Sequence, residues 1–575
     1  MLVFTENQAA FLDYSESSVV LGAPGSGKTL LLIEKAARLA QASKEADEVA
    51  FICFSYRSAQ FVKKQFGQRY KKLLDKIKFG TVKDFAEEQL VKAENHPINF
   101  ADNGKVRQLL RQVMKEERFG GSLDEAEHII RSFRAQLKNP QETEPYVNLY
   151  NRYRGLLDQL NLLDRHMIVR QHIVGMDNGT VASCKVKYML VDNVQDATPI
   201  QYRWLQTHLT RGVTLFLVGN DDLTAFGRDG AMGAEFFQKF EKKSNVKQFL
   251  LQDNYRTSKR LWPAVSKLPR LIKNRIPKKE KTTANHTGSL VVKECATQSE
   301  EITFLVEKLK HLKSKKVGII VRQDEQAARL THLLQVRGIE VGSYARPIWE
   351  NQAAEAVLDL LYVMLNQAKD SQLFNVMSFM RVSTDIQAQL AQKGIQAKDW
   401  LVKGAQFPDG LEGSTRELST FRRNLLSVWQ LLQQRKIEPQ EGFKAFVFDM
   451  LPHLAEDDRR FALLALDILL NIKGSMMEML PNIRKETMPS IHSSITVAPV
   501  REVRNMEFDS VILPFAEAQD WPNQRYQALD TDEGSERRLF YLAVSRAKED
   551  IIASYTDTQS IFLKEMQSSL KSHKG

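Results

Sequence analysis

One short segment constrains the fold more than any other in this chain. The apolar run Val19-Val20-Leu21 enters Gly22-Ala23-Pro24-Gly25-Ser26-Gly27-Lys28-Thr29. Its glycines let the backbone curl until successive N–H groups face one anion. Lys28 has the reach for β/γ-phosphates, and the Thr29 hydroxyl can ligate Mg²⁺. A helix from about Leu30 to Leu39 aims its positive end at the same place. A strand, a phosphate cradle and a helix in this order predict an α/β chain that binds a nucleoside triphosphate. Gly22, Ala23, Pro24, Gly25, Ser26, Gly27, Lys28 and Thr29 are the candidate contacts.

Further short apolar runs lie at Val49–Phe54, Tyr188–Val191 and Leu215–Val218, each ending in a polar or glycine-containing loop. Unbroken apolar runs suit strands buried on both faces, hence a parallel sheet covered by helices. Ligands of such sheets sit beyond the carboxyl ends of the strands. A second set of runs comprises Leu290–Val292, Val317–Val321, Ile495–Val497, Val511–Leu513 and Ile551–Ala553. Long helical stretches, Phe85–Ser183 and about Asp370–Pro489, interrupt the two sets. With 575 residues, enough for roughly three to four domains, the expectation is two parallel-sheet cores, each with a helical insertion. The first core takes residues 1–85 and 184–265, with its insertion at 86–183. The second takes 266–369 and 490–575, with its insertion at 370–489. The segment Pro277-Lys278-Lys279-Glu280-Lys281 reads as an exposed link between them.

The net charge of +11 favours a polyanionic partner, with nucleic acid the first candidate, although a generally basic surface fits it too. Basic clusters lie at Lys63-Lys64, Arg69–Lys72, Lys278-Lys279 and Lys313–Lys316; each also reads as a solvated helix face. Cys53, Cys184 and Cys295 are far apart, with no metal-binding or disulfide pattern, which suits a reducing compartment. No apolar stretch approaches a membrane span and no leader pattern opens the chain, so a cytoplasmic location is expected.

The remaining motifs come in a telling order: Thr5–Gln8, the phosphate loop, Phe54-Ser55-Tyr56-Arg57, Gly80–Phe85, Val191–Asp196, Val218–Asp222, Asn254-Tyr255-Arg256, Met506–Asp509 and Glu536–Lys548. From Thr5 to about Ala553 this series resembles the superfamily 1 DNA helicases typified by UvrD, Rep and PcrA. The resemblance implies two RecA-like cores, an ATP and Mg²⁺ requirement, 3′→5′ polarity, and single-stranded or partly duplex DNA as partner. By resemblance Gln8 reads the adenine edge and Tyr255 stacks on the ring. Arg256 and Arg546 reach the γ-phosphate, Glu507 contacts nucleotide, Asp192 serves the metal with Thr29, and Gln195 joins the catalytic set. Ser55, Arg57, Thr81, Phe85, Phe226 and Arg228 fall where the family meets nucleic acid.

The chain departs from that pattern at defined positions. The family's Asp-Glu-x-Gln-Asp is here Asp192-Asn193-Val194-Gln195-Asp196. Asn193 can orient a water but cannot take its proton, and losing general-base help costs about 10²–10⁴ in rate. Leu223 stands for a glutamine, Arg228 for an aromatic, Asp229 for an arginine, and Leu30 for an arginine near the base. Arg501–Glu507 replaces a His-x-x-Lys-Gly-Leu-Glu pattern. Two readings stand side by side. One is a UvrD-like ATP-dependent DNA helicase or translocase with impaired hydrolysis, or one in which Asp221 or Asp222 supplies the missing carboxylate. The other is a non-hydrolysing, ATP-gated DNA-binding subunit of a larger repair or defence complex with a protein partner. RNA in place of DNA stays open.

Overall fold

A computed structural model describes residues 4–571 except 44–47, 94–97, 122, 138–139, 243–245, 313–314, 346, 366, 381, 395–407, 414, 435, 455, 472–492 and 524–532. The chain forms two compact units, Met1–Arg322 with Ala498–Gly575, and Gln323–Val497.

The larger unit is built on two parallel sheets, the RecA-like α/β arrangement expected. The first holds β1 (Ser18–Gly22), β2 (Val49–Cys53), β3 (Ile77–Thr81), β4 (Tyr188–Asp192), β5 (Thr214–Gly219) and β6 (Lys247–Leu251), in the order β3-β2-β4-β5-β1-β6. Every neighbouring pair is parallel. Strand residues alternate between two apolar layers. Val20, Phe51, Leu190 and Phe216 enter the layer of the helix Lys28–Ala42. Val19, Leu21, Ile52, Val191 and Leu217 enter the opposite layer with Trp204 and Phe236. Burial on both faces explains why the central strands read as unbroken apolar runs.

Two short strands, β7 (Asp253–Asn254) and β8 (Lys281–Thr282), pair in parallel just past β6. The second sheet's part of this unit holds β9 (Ser289–Glu294), β10 (Val317–Val321), β13 (Phe508–Leu513) and β14 (Ala547–Tyr555), paired β10-β13-β14-β9. The helix Glu533–Val544 precedes β14. Helices between Val82 and Asp177 form the helical stretch between β3 and β4, with an apolar core of their own around Tyr150, Tyr153 and Val113.

The smaller unit carries β11 (Gly342–Ser343), paired in parallel with β12 (Ile495–Pro499), and a helical bundle. Its central helix, Gln352–Met364, is apolar on nearly every side and is wrapped by helices that include Asp370–Phe379, Arg416–Gln433 and Glu456–Leu470. Asp359, buried on that helix, accepts hydrogen bonds from the Gln372 and Asn375 amides at 3.0 and 2.8 Å. Among the described residues no helix is long and apolar enough to cross a membrane.

Candidate nucleotide site and its surroundings

The phosphate loop leaves the carboxyl end of β1 and turns through Gly25 (φ 69°) and Gly27 (φ 78°) into the helix Lys28–Ala42. The fit at Gly25 is tight. A Cβ there would lie 2.6 Å from the Arg256 Cβ and 2.8 Å from the Asn254 Oδ1. Tyr255 N–H donates to the Gly25 carbonyl at 3.1 Å. The fully buried Asn254 accepts from the N–H groups of Arg256 (2.7 Å) and Thr257 (2.9 Å). The loop and the Asn254-Tyr255-Arg256 turn are therefore one packed piece.

Gln8 sits in the first turn of the helix Glu6–Asp13, whose Thr5 closes a capping box with it. The Gln8 Nε2 donates to the Ser26 carbonyl at 3.2 Å, tying that helix to the loop. At the other end of the helix the buried Lys35 donates to the Leu12 carbonyl at 2.8 Å and sits over the Phe216 ring. A cation there answers the helix's negative end. Thr5, Asn7, Gln8, Ser26, Gln252, Asp253 and Tyr255 line a cleft beside the loop. Tyr255 is 44% exposed on the lining of this cleft.

Thr29 Oγ1 donates to Asp192 Oδ2 at 2.8 Å, while Asp192 Oδ1 is buried without a hydrogen-bond partner. Burial pushes the Asp192 carboxyl up to about 6. A hydroxyl and a carboxylate with an unused lone pair fit Mg²⁺, which usually takes one or two protein ligands and fills the rest with water and phosphate. Among the described residues no group of three His, Cys, Asp or Glu could hold a metal by itself.

Three cations meet here. Lys28 Nζ folds onto the carbonyls of Gly22 and Ala23 at 2.9 and 2.7 Å. Burial, reinforced by Arg546 and Arg256, pushes Lys28 down to about 7. Arg256 donates to the Ser545 carbonyl at 3.2 Å and pairs with Glu507 at 3.3 Å. Arg546 donates to the Arg504 carbonyl at 2.7 Å, and its Nε is buried without a partner. Burial, and then the Arg256 charge, depress Arg546 well below its usual value. Mutually repelling cations beside a phosphate loop form an electrostatic setting that suits an anion.

Asn193 occupies the left-handed region (φ 60°, ψ 47°). Its Nδ2 donates to Asn505 Oδ1 at 3.2 Å, and its Oδ1 accepts from Gln195 at 3.4 Å. Gln195 Oε1 in turn accepts the Asn220 N–H at 3.0 Å. The carboxylates expected as substitutes are already engaged. Arg275 forks onto Asp222 with two 2.8 Å bonds, Lys278 pairs with both Asp221 and Asp222, and the Ile276 N–H donates to Asp221 at 2.7 Å. The Lys278 side chain is thus shut in, where the sequence suggested an exposed link. Sequence reasoning also passed over Asn505, Arg275 and Glu280; only their closeness to recognised motifs hinted at them.

The nucleic-acid candidates do not form one exposed surface. Ser55 caps the helix Tyr56–Arg69, accepting from Ser58 N–H at 3.2 Å. Thr81 exchanges caps with Asp84, and Arg57 pairs with Glu502 at 2.9 Å. Phe85, only 2% exposed, points into the core, since its helix packs against the sheet. Phe226 lies under the guanidiniums of Arg504 and Arg501, 4.3 and 5.8 Å from the ring centre. The side chain of Arg228 lies outside the described residues, as do Lys313 and Ser314 of one basic cluster.

The comparisons with known proteins point to one family. The model of the UvrD/REP helicase N-terminal domain matches residues 3–245, and that of the UvrD-like helicase C-terminal domain matches 249–407 and 423–558. A probable DNA helicase II homolog of Rickettsia felis is 23% identical over 67% of this chain and 63% of its own length. DNA helicase II of Escherichia coli K12 is 21% identical over 95% of this chain and 83% of its own. The ATP-dependent DNA helicase PcrA of Staphylococcus epidermidis is 21% identical over 79% and 69%. The chain spans about three fifths of the length of the Rickettsia relatives it matches. With both domain models covering nearly all of it, the chain belongs to the UvrD/Rep helicase family.

Proposed function

We propose that this chain is an ATP-dependent, UvrD-like DNA translocase or helicase of 3′→5′ polarity whose hydrolysis is slowed by Asn193. The observation that carries this reading is the convergence of Lys28, Arg256 and Arg546 on the phosphate loop, beside the Thr29–Asp192 pair. Lys28 and Arg256 come from the first sheet's side and Arg546 from the helix end before β14. Charge stabilisation of a transferring γ-phosphoryl then depends on the two sides being together. A nucleotide cycle that makes and breaks that arrangement can drive motion. Mg²⁺ held by Thr29 and Asp192 would neutralise phosphate charge. Gln8 and Tyr255 would select adenine.

The second reading, an ATP-gated DNA-binding subunit that does not turn over, is favoured by one observation. Asn193 uses its amide to bridge to Asn505 and has no proton-accepting group. One experiment separates them. Steady-state ATP hydrolysis is measured with and without single-stranded DNA, with Lys28→Ala as control. Slow, DNA-stimulated turnover that disappears in the control supports the translocase. Intact ATP binding with no turnover supports the subunit. Absent ATP binding sinks both. DNA affinity is expected to fall steeply between about 50 and 200 mM salt, as phosphate contacts demand, and a matched RNA oligonucleotide tests the substrate.

A further inference from the structure

We propose that Glu280 is the general base for ATP hydrolysis, in place of the carboxylate that position 193 lacks. This rests on the translocase reading above. The segment carrying Glu280 is held on both sides. Before it, Arg275, Ile276 and Lys278 are bonded to Asp221 and Asp222 at the end of β5. After it, Lys281 N–H donates to the Gln252 carbonyl at 3.0 Å as β8 pairs with β7. β7 runs straight into Tyr255 and Arg256, the turn packed on Gly25. Glu280 is thereby fixed beside the phosphate loop.

Its carboxyl is shut in yet unused: Oε1 is buried and has no hydrogen-bond partner. The charged and titratable groups that face it are Asp222 from the end of β5, Lys278 and Arg275 from its own segment, Lys28 from the phosphate-loop helix and Tyr541 from the helix Glu533–Val544. Lys278 and Arg275 are already bonded to Asp221 and Asp222. Lys278, Arg275 and, more weakly, Lys28 favour the ionised form of Glu280, and Lys28 is the residue suited to the γ-phosphate. Asp192 and Glu280 are carboxyls that act on Lys28, and Asp192 accepts from Thr29 at the metal position. Glu507 is paired with Arg256, and Asp196 with Arg504.

In the step proposed, water oxygen bonds to the γ-phosphorus and the bond from that phosphorus to the β,γ-bridging oxygen breaks. The electron pair leaves with ADP. The Glu280 carboxylate takes the water proton and later gives it to solvent. Burial, and then the Asp222 charge, push this carboxyl up to about 7. A base with that value is half ionised at neutral pH, where Brønsted behaviour makes it most effective.

The test uses the full chain with single-stranded DNA, comparing wild type with Glu280→Gln and Glu280→Asp. Glu280→Gln should lower kcat by about 10²-fold or more while KM and affinity for a non-hydrolysable ATP analogue change by less than about threefold. The rise of kcat around pH 7 in the wild type should vanish in that variant. Adding Asn193→Glu to it should restore turnover, and Glu280→Asp should fall between. Three results overturn the assignment: Glu280→Gln within about twofold of wild type, a loss confined to nucleotide affinity, or a wild type that binds ATP and never hydrolyses it. The last leaves nucleotide and DNA binding standing. A wild type that binds no ATP strikes the parent reading instead.

Discussion

Asn193 concentrates the question at the scale of one residue. Its backbone lies in the left-handed region, which asparagine tolerates better than most residues, and its amide donates to Asn505. Glutamate there would carry a backbone cost of about 1 kcal/mol and lose that donor. It would also place a proton acceptor at the position where the family has one. Asn193→Glu is therefore expected to raise kcat by about tenfold or more while lowering the denaturation midpoint. Unchanged turnover would show that position 193 does not limit the reaction. The residue scale is also where the sequence motifs can be set directly against the structure. The loop residues, Thr29 with Asp192, Gln8, Arg256 and Arg546 lie close together because bonds tie one motif to the next: Gln8 to the Ser26 carbonyl, Thr29 to Asp192, and Arg546 to the Arg504 carbonyl.

At the scale of elements, the phosphate loop and the β7 turn behave as one part. Gly25 has a positive φ and no room for a Cβ against Arg256 and Asn254. Gly25→Ala should push that turn, with Tyr255 and Arg256, away from the loop. The expected outcome is at least a tenfold loss of affinity for an ATP analogue, about 1.4 kcal/mol or more, with a lowered melting temperature. An alanine variant that binds normally would mean the two pieces are separable. The elements missed from sequence have physical reasons. β3 and β6 lie at the edges of their sheet, and Lys78, Lys247 and Gln248 interrupt the apolar pattern that marks the central strands. The Pro277–Lys281 segment looks like an exposed link by composition. Only tertiary pairing shows that Asp221 and Asp222 bury Lys278 and hold Glu280 in place.

At the scale of the larger unit, the departures from the family pattern meet one another. Asp229 stands where the family has arginine and Arg501 where it has histidine, and the two face each other at 3.5 Å. Asn193 meets Asn505, and Arg504 pairs with the buried Asp196 at 3.1 Å. Each pair joins the first sheet's loops to the segment after β12, so substitutions that look like separate losses in sequence form one interface. Asp229 tests whether this interface holds energy. Burial opposes its ionisation, but His128, Arg501 and Arg131 hold its carboxyl well below the usual range. A depressed carboxylate stabilises the fold above its unfolded value near 4 and loses that contribution only as pH falls through the lower folded value. A double-mutant cycle with Asp229→Asn and Arg501→Gln, measured by denaturant unfolding, should give a coupling of about 1–3 kcal/mol. The coupling should be equal at pH 7 and pH 5, because Asp229 stays ionised at both. Additive effects would mean that the pair merely coexists. A coupling that collapses by pH 5 would mean that the carboxylate is protonated there and that its surroundings do not hold it ionised.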